Sequence, residues 1–353
     1  MLLDDRKRKI LKVIIDDYIN TAEPVGSRTL ARKHEIGLSS ATIRNEMADL
    51  EELGLLEQLH TSSGRRPSDE GYRFYVDELL SKGNFYDELS LEDMDKIKEA
   101  MEIRIDELQG LIRKAAQVIA NITNYTAVAV VSGMGKSEIK AVQIVPIDKN
   151  KALVIIVTKE GTVKNTMVRL EQEISADVLI DVSIVFNKML KGLTIEQINQ
   201  DVITKIKMVA DNKLPDYIVI AILNGIIDCI HQIDNKEVYL DGTNNIFNFP
   251  EFCDVKKAKE FLNLLEAEEL VDSILKENSK TDNDICIQIG KENKSEVIKD
   301  CSLITTTYGI DGNVIGTIGI IGPKRMEYSK VISVMNWVKK KIDEDILKML
   351  GDI

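Results

Sequence analysis

The sequence predicts an α+β protein that begins with a winged helix-turn-helix domain and continues into a sheet domain carrying an insertion. Two observations predict this arrangement. Before Gly54, two short helical patterns are joined by a turn that contains Gly37, which is typical of a helix-turn-helix. From residue 127 onward, strand-like runs are interrupted by a helical middle and return before a final helix. This order is typical of one sheet domain that hosts an inserted unit.

Length, composition and charge favour an ordinary globular protein. The chain has 353 residues, of which 44% are hydrophobic and 29% charged, enough for two or three domains. The N-terminus lacks the apolar run of a signal peptide, and no apolar stretch reaches bilayer length. We therefore expect a cytoplasmic protein with no membrane partner. The net charge is −12, but residues 1–75 hold 12 basic and 13 acidic side chains, a net of −1. The acidic remainder should suppress indiscriminate binding to nucleic acid.

The third predicted helix carries two different faces. Ser39 is a suitable N-cap because its hydroxyl can accept from an unpaired amide in the first turn. An apolar stripe at helical spacing consists of Ile43, Met47 and Leu50, and such a stripe must face a core. The opposite face holds Asn45 between two alanines, and asparagine is suited to bidentate pairing with adenine. We predict that Thr42 and Asn45 contact bases and that Arg44 contacts the phosphate backbone.

The segments that flank this helix complete the predicted winged helix. Helix one spans Asp5 to Asn20, and the basic run Arg6–Lys9 at its start is unfavourable to the helix dipole. A phosphate contact and a solvated charge run both remain open for this run. After Gly54, small turn residues lead into Arg65 and Arg66, which predicts a hairpin wing that meets phosphates or a minor groove.

Three runs of the sequence resemble the HrcA family of bacterial heat-inducible transcription repressors. They are EPVGSRTL at 23–30, ATIRNEMADLEELG at 41–54, and HTSSGR at 60–65 followed by GYR at 71–73 and YVD at 75–77. The resemblance adds further DNA-contacting residues within or beside these motifs, namely Ser27, Arg28, Ser40, His60, Thr61 and Ser63. Ser40 departs from the family, which often has proline there, and Ser63 and Arg66 replace smaller or aliphatic residues.

The resemblance also implies a GAF-like fold for the sheet domain and a dimerising domain inserted within it. The predicted boundaries are 1–80 for the winged helix, 81–93 for a linker, 94–174 for the first GAF-like part, 175–250 for the insertion and 251–353 for the second GAF-like part. A long leading helix is predicted at 94–122. It either pairs across a dimer or packs against its own domain.

The function implied by the resemblance is repression of chaperone operons. A homodimer would bind an inverted-repeat operator in double-stranded DNA, a chaperonin would keep it competent, and heat would release it. Two alternatives remain open: a metabolite-responsive regulator whose GAF-like domain senses the ligand, and a scaffold whose winged helix binds protein.

Catalytic, metal and cofactor sites have no support in the sequence. The three histidines and four cysteines are scattered, and there is no C-x-x-C pair. Residues 132–137 imitate the end of a phosphate-binding loop, but Val130 stands where that loop needs glycine. We therefore predict a protein that is not an enzyme and that uses no metal or cofactor.

Overall fold

The structure is a computed structural model of the chain. It describes residues 3–33, 37–58, 64–82, 89–101, 108–131, 137–159, 161–198, 200–211, 216–234, 237–278, 285–310 and 313–351.

The N-terminal domain is a winged helix-turn-helix. Its elements in chain order are α1 (Asp5–Thr21), α2 (Ser27–Lys33), α3 (Ser40–Glu52), β1 (Leu56–Glu57), β2 (Arg66–Pro67) and α4 (Asp69–Lys82). β1 and β2 pair antiparallel, and Arg65 extends this small sheet through a bridge to Val25. The chain leaves α3 through Gly54, whose φ of 76° lies in the left-handed region that favours glycine.

The core of this domain forms where α1 and α3 pack together. The predicted stripe on α3 is confirmed, because Ile43, Met47 and Leu50 are at most 1% exposed. They share one hydrophobic cluster with Ile10 and Ile14 of α1. Burial of these side chains fixes which face of α3 remains turned to solvent.

The remaining elements follow in chain order. They are α5 (Leu91–Met101), α6 (Leu108–Thr123), β3 (Thr126–Val131), β4 (Ile139–Asp148), β5 (Lys151–Thr158), β6 (Val163–Arg169), α7 (Ala176–Leu190), α8 (Gln200–Asp211), α9 (Asp216–Asp234), β7 (Glu237–Asp241), α10 (Val255–Glu266), α11 (Glu268–Asn278), β8 (Cys286–Ile289), β9 (Cys301–Ile310), β10 (Asn313–Pro323) and α12 (Tyr328–Gly351).

The main sheet of the described residues has the strand order β7-β3-β10-β9-β8, and every neighbouring pair is antiparallel. Alternate residues of β3 pack into two different hydrophobic cores. Ala127 and Ala129 belong to the cluster that contains α6 and α12, whereas Val128 and Val130 belong to the cluster that contains α10 and α11. Because helices cover both faces, β3 is buried throughout and reads as a continuous apolar run.

The segment between β3 and β7 contains a separate sheet, with the order β4-β5-β6. Its strands pair antiparallel with one another. α9 packs on one face of this sheet, and α7 packs along β4. β7, at residues 237–241, instead pairs with β3 in the main sheet. We therefore propose that the insertion lies between β3 and β7, in place of the predicted 175–250. Strand patterns in the sequence indicate strands but not their pairing partners, so this division was beyond the sequence prediction.

The predicted leading helix is divided. α5 and α6 flank residues 102–107, which lie outside the described residues, and the two helices pack against each other. Two segments of one straight helix could not touch in this way. α6 also packs on β3, β7 and α12, so it contributes to the core of its own domain. None of the helices in the described ranges is both long and apolar enough to cross a membrane.

Candidate nucleic-acid interface

The N-terminus of α3 is fixed by its cap. Ser39 Oγ accepts a hydrogen bond from the backbone N–H of Thr42 at 3.1 Å, as the sequence predicts. The two hydroxyls, Ser39 Oγ and Thr42 Oγ1, lie 2.9 Å apart and share a further hydrogen bond. Thr42 is therefore half-buried in the cap, and its hydroxyl has one partner already. Ser40 occupies the first turn of α3 and is also half-buried.

The outer face of α3 is open to solvent. Ala41, Arg44 and Asn45 are exposed, and Ala48 is half-buried. No described residue hydrogen-bonds to the side chain of Arg44 or Asn45. A small-residue face with an exposed amide and an exposed guanidinium at its edge can approach base edges closely. The predicted roles of Thr42, Arg44 and Asn45 in DNA contact stay predictions.

α2 exposes two arginines to solvent. The helix begins at Ser27, and the first helical bond runs from Leu30 N to Gly26 O at 3.1 Å. Arg28 and Arg32 are both exposed and lie one turn apart on the same side of the helix. Arg32 was absent from the predicted site. Its spacing of four residues from Arg28 was the signal that could have identified it.

The root of the wing is tightly held. The backbone of Arg65 exchanges two hydrogen bonds with Val25, at 2.8 and 2.9 Å. A Cβ on Gly64 would lie 2.6 Å from backbone atoms of Val25, so only glycine fits there. The guanidinium of Arg65 donates to Glu51 at 2.7 Å, and its side chain is only 17% exposed. This arrangement makes Arg65 an anchor between the wing and the end of α3.

Arg66 is also engaged with a carboxylate. Its Nε donates to Glu57 Oε1 at 2.8 Å, and the side chain is 33% exposed. Either arginine would have to exchange its carboxylate for a phosphate in order to contact DNA. The predicted wing residues His60, Thr61 and Ser63 lie outside the described residues.

Two cations of the basic run at the start of α1, Arg6 and Lys7, have acidic partners on α3. Lys7 Nζ lies 2.9 Å from Glu46 and 3.0 Å from Asp49, and Arg6 lies 3.4 Å from Glu46. Hydrogen bonds to Glu46 and Asp49 raise the pKa of Lys7. These cations are therefore occupied in holding α1 to α3, which neither sequence interpretation anticipated.

Most cations of the winged helix that lack a carboxylate partner among the described residues lie on the helix-turn-helix. Within the described part of the winged helix, the cations without a carboxylate partner are Lys9, Lys12, Arg28, Arg32 and Arg44. Three of these five, Arg28, Arg32 and Arg44, lie on α2 and α3. Phosphate contacts supply most of the salt-dependent affinity for DNA. This part of the surface is therefore best suited to contact the phosphate backbone of DNA.

Comparisons with known proteins show the family to which the chain belongs. The family described as "HrcA protein C terminal domain" matches residues 109–332. The chain is 55% identical to the heat-inducible transcription repressor HrcA of Ruminiclostridium cellulolyticum, and the alignment covers 100% of both chains. It is 50% identical to the protein of the same name from Acetivibrio thermocellus, over 99% of this chain and 98% of that one. A crystal structure of a hypothetical protein has the same fold, with a TM-score of 0.69 and 22% identity over 99% of this chain and 100% of that one.

Proposed function

Because this chain belongs to the HrcA family and is a heat-shock transcriptional repressor, we propose that it binds an inverted-repeat operator of chaperone operons as a homodimer. A repressor must reach its operator, so we place it in the cytoplasm. We assign it no catalytic role, and its relatives carry the non-enzymatic name of transcription repressors.

The open face of α3 is the observation that carries the DNA-binding proposal. Asn45 is exposed in the middle of this face and has no hydrogen-bond partner among the described residues. Arg44 on α3 and Arg28 on α2 are also exposed, and both are without an ion-pair partner in the same ranges. The apolar side of α3 is buried, so only this face is available to enter a major groove.

The dimer is proposed to form through the uncovered face of the β4-β5-β6 sheet. α9 packs on the other face, where a Cβ on Gly225 would meet Val154, Thr166 and Val168. The uncovered face aligns apolar side chains in register across the strands: Val145 with Leu153 and Met167, and Ala141 with Val157 and Val163. Of these, Val145, Val163 and Met167 are 36%, 45% and 56% exposed.

A second copy of the chain is the occupant we propose for this face. The row between the two apolar rows holds Gln143, Ile155 and Asn165, so the face carries an apolar row on either side of a mixed one. Exposed apolar rows of this kind are costly to leave in water. A two-fold dimer would place the same face of both copies in contact, and the family resemblance assigns dimerisation to the inserted unit.

Regulation is proposed to follow the family resemblance. A chaperonin would keep the repressor competent, and heat would release it from DNA. Physically, this requires a part of the molecule that opens at modest free energy. The metabolite-sensing and protein-scaffold alternatives gain no favourable observation from the described residues.

Fluorescence anisotropy tests the proposal. The purified protein is titrated against a chaperone-promoter inverted repeat and a scrambled duplex at several salt concentrations, with and without chaperonin. We expect tighter binding to the repeat by a factor of about 10³ or more. Equal weak binding to both duplexes, unchanged by chaperonin, would contradict the repressor assignment.

A further inference from the structure

The first turn of α4 is bound to the main-sheet domain through Asp69. Its Oδ1 accepts from Lys324 Nζ at 2.6 Å, and its Oδ2 accepts from the backbone N–H of Lys291 at 3.0 Å. The backbone at Gly290 has a φ of 57°, and a Cβ there would lie 2.2 Å from Asp69 Oδ2. The loop after β8 is therefore shaped to receive this one carboxylate.

Arg73 makes the second connection, one turn further along α4. Its Nε donates to Glu292 Oε1 at 2.8 Å, and Nη2 donates to Glu292 Oε2 and to Ile287 O, the latter at 2.5 Å. Such a bidentate ion pair fixes the orientation of the two side chains as well as the distance between them. Glu292 is itself held in place because it accepts from the backbone N–H of Ile289 at 2.8 Å.

Two further contacts widen the junction between the winged helix and the main-sheet domain. The ring of Tyr72 packs 6.0 Å from that of Tyr328 at the start of α12, and Tyr72 is only 2% exposed. Arg325 donates to Ile19 O at 3.0 Å, near the C-terminal end of α1, and pairs with Glu251 at 2.5 Å. A cation at this position satisfies a terminal helix carbonyl and the helix dipole.

The junction and the DNA-facing surface lie on different elements. The contacts just described involve α4 and the end of α1, whereas Arg44 and Asn45 remain exposed on α3. The docked winged helix therefore keeps its reading face free. Because the contacts spread over two helices, they restrict rotation of the winged helix about α4 as well as its separation from the sheet domain.

We propose that Asp69, Arg73 and Arg325 are positioning residues that set the half-site spacing of the operator. The inference rests on the proposed homodimer at an inverted repeat. In a two-fold dimer, the distance and angle between the two α3 helices follow from how each winged helix is docked. Rigid docking selects one spacer, whereas loosely tethered domains tolerate several spacers with lower affinity.

The test compares spacer preference in the full-length protein. Wild type, Arg73→Ala and Glu292→Gln are titrated against the inverted repeat, the same repeat with half a helical turn inserted, and a single half-site. Glu292→Gln matters because it loosens the junction from outside the winged helix, while its amide oxygen can still accept from Ile289 N. Lys299→Gln is the matched control, since it removes a charge that pairs with Glu296 inside the sheet domain.

We expect the insertion to weaken wild type and Lys299→Gln by about 100-fold, because half a turn places the second site on the opposite side of the duplex. Arg73→Ala and Glu292→Gln should bind the native repeat about tenfold more weakly than wild type does. In these two variants the insertion should weaken binding by less than about tenfold relative to the native repeat. Their half-site affinity should equal that of wild type. A wild-type spacer profile in both variants would overturn the inference, and so would an equal loss on the half-site. If wild type bound the repeat no better than the half-site, the proposed dimeric function would fail first.

Discussion

Asn45 is the side chain best placed to read a base. It lies exposed on α3, one turn from Ala41, and no described residue hydrogen-bonds to it. We predict that Asn45→Ala lowers affinity for the operator by about 1–3 kcal/mol and relaxes preference at one base position. Anisotropy titrations against operators substituted at each position would measure this. Equal losses on operator and random DNA would rule out a base-reading role.

Arg32 should contact phosphate without reading sequence. It is exposed and unpaired within the described ranges, one turn from Arg28. We predict that Arg32→Ala weakens binding to specific and random DNA alike and reduces the slope of log K against log salt by about one. Lys33→Ala is the control, because Lys33 is already neutralised by Asp17 and its loss should leave the slope unchanged. An unchanged slope for Arg32→Ala would place its side chain away from the duplex.

At the scale of single residues, the exposed face of α3 could be predicted from the sequence. Which charged side chains form ion pairs could not. The periodicity of Ile43, Met47 and Leu50 fixed the buried side, and everything opposite followed from it. The pairs of Lys7 with Glu46 and of Arg65 with Glu51 join residues that are distant in the chain. Only the folded backbone brings these groups together, so no local pattern could reveal that Arg65 is an anchor.

The uncovered sheet of the inserted unit makes a prediction at the scale of elements. Met167 lies in the row with Val145 and Leu153, so a charge there would be buried and unpaired in the proposed dimer. We predict that Met167→Glu raises the dissociation constant of the dimer by about 100-fold or more, since such a charge costs about 3 kcal/mol. Analytical ultracentrifugation would measure the change.

The control for this prediction uses an equally apolar residue on the helical side of the same unit. Ile184 is 61% exposed on α7, and Ile184→Glu should leave the dimer intact. Dissociation by Ile184→Glu alone would move the proposed interface from the sheet to α7.

The elements themselves were largely predictable, and their grouping was not. The apolar spacing of the sequence predicts helices at 178–190, 217–233 and 329–350, and α7, α9 and α12 begin and end within two residues of these ranges. Strand-like runs at 138–145, 152–158 and 163–170 likewise predict β4, β5 and β6, but these strands pair with one another rather than with β3. Alternation along a strand indicates which side chains share a face. It does not indicate which strand is the hydrogen-bonded neighbour.

Across the whole molecule, Glu237 joins the inserted unit to the main sheet. Its Oε1 accepts from Gln109 Nε2 on α6 at 2.9 Å and from Lys164 Nζ on β6 at 2.7 Å, and Tyr239 also donates to this carboxylate. Burial opposes ionisation, but the hydrogen bonds from Lys164 and Tyr239 outweigh it and lower the pKa of Glu237 below its usual value. Because the folded pKa is the lower one, the charged form stabilises the fold at neutral pH. That contribution is lost as pH falls through the folded pKa.

We therefore predict that Glu237→Gln lowers the free energy of unfolding by about 1–2 kcal/mol at neutral pH, because Lys164 loses its charged partner. The difference between wild type and variant should shrink towards zero as the pH is lowered past about 4.3, the unperturbed value for glutamate. Thermal unfolding of both proteins across this range would measure it. Glu173→Gln is the matched control, since Glu173 pairs with Lys149 at an exposed site and should contribute little at any pH. A difference that stayed constant into acid would mean that the shape of the Glu237 side chain, rather than its charge, connects the inserted unit to the main sheet.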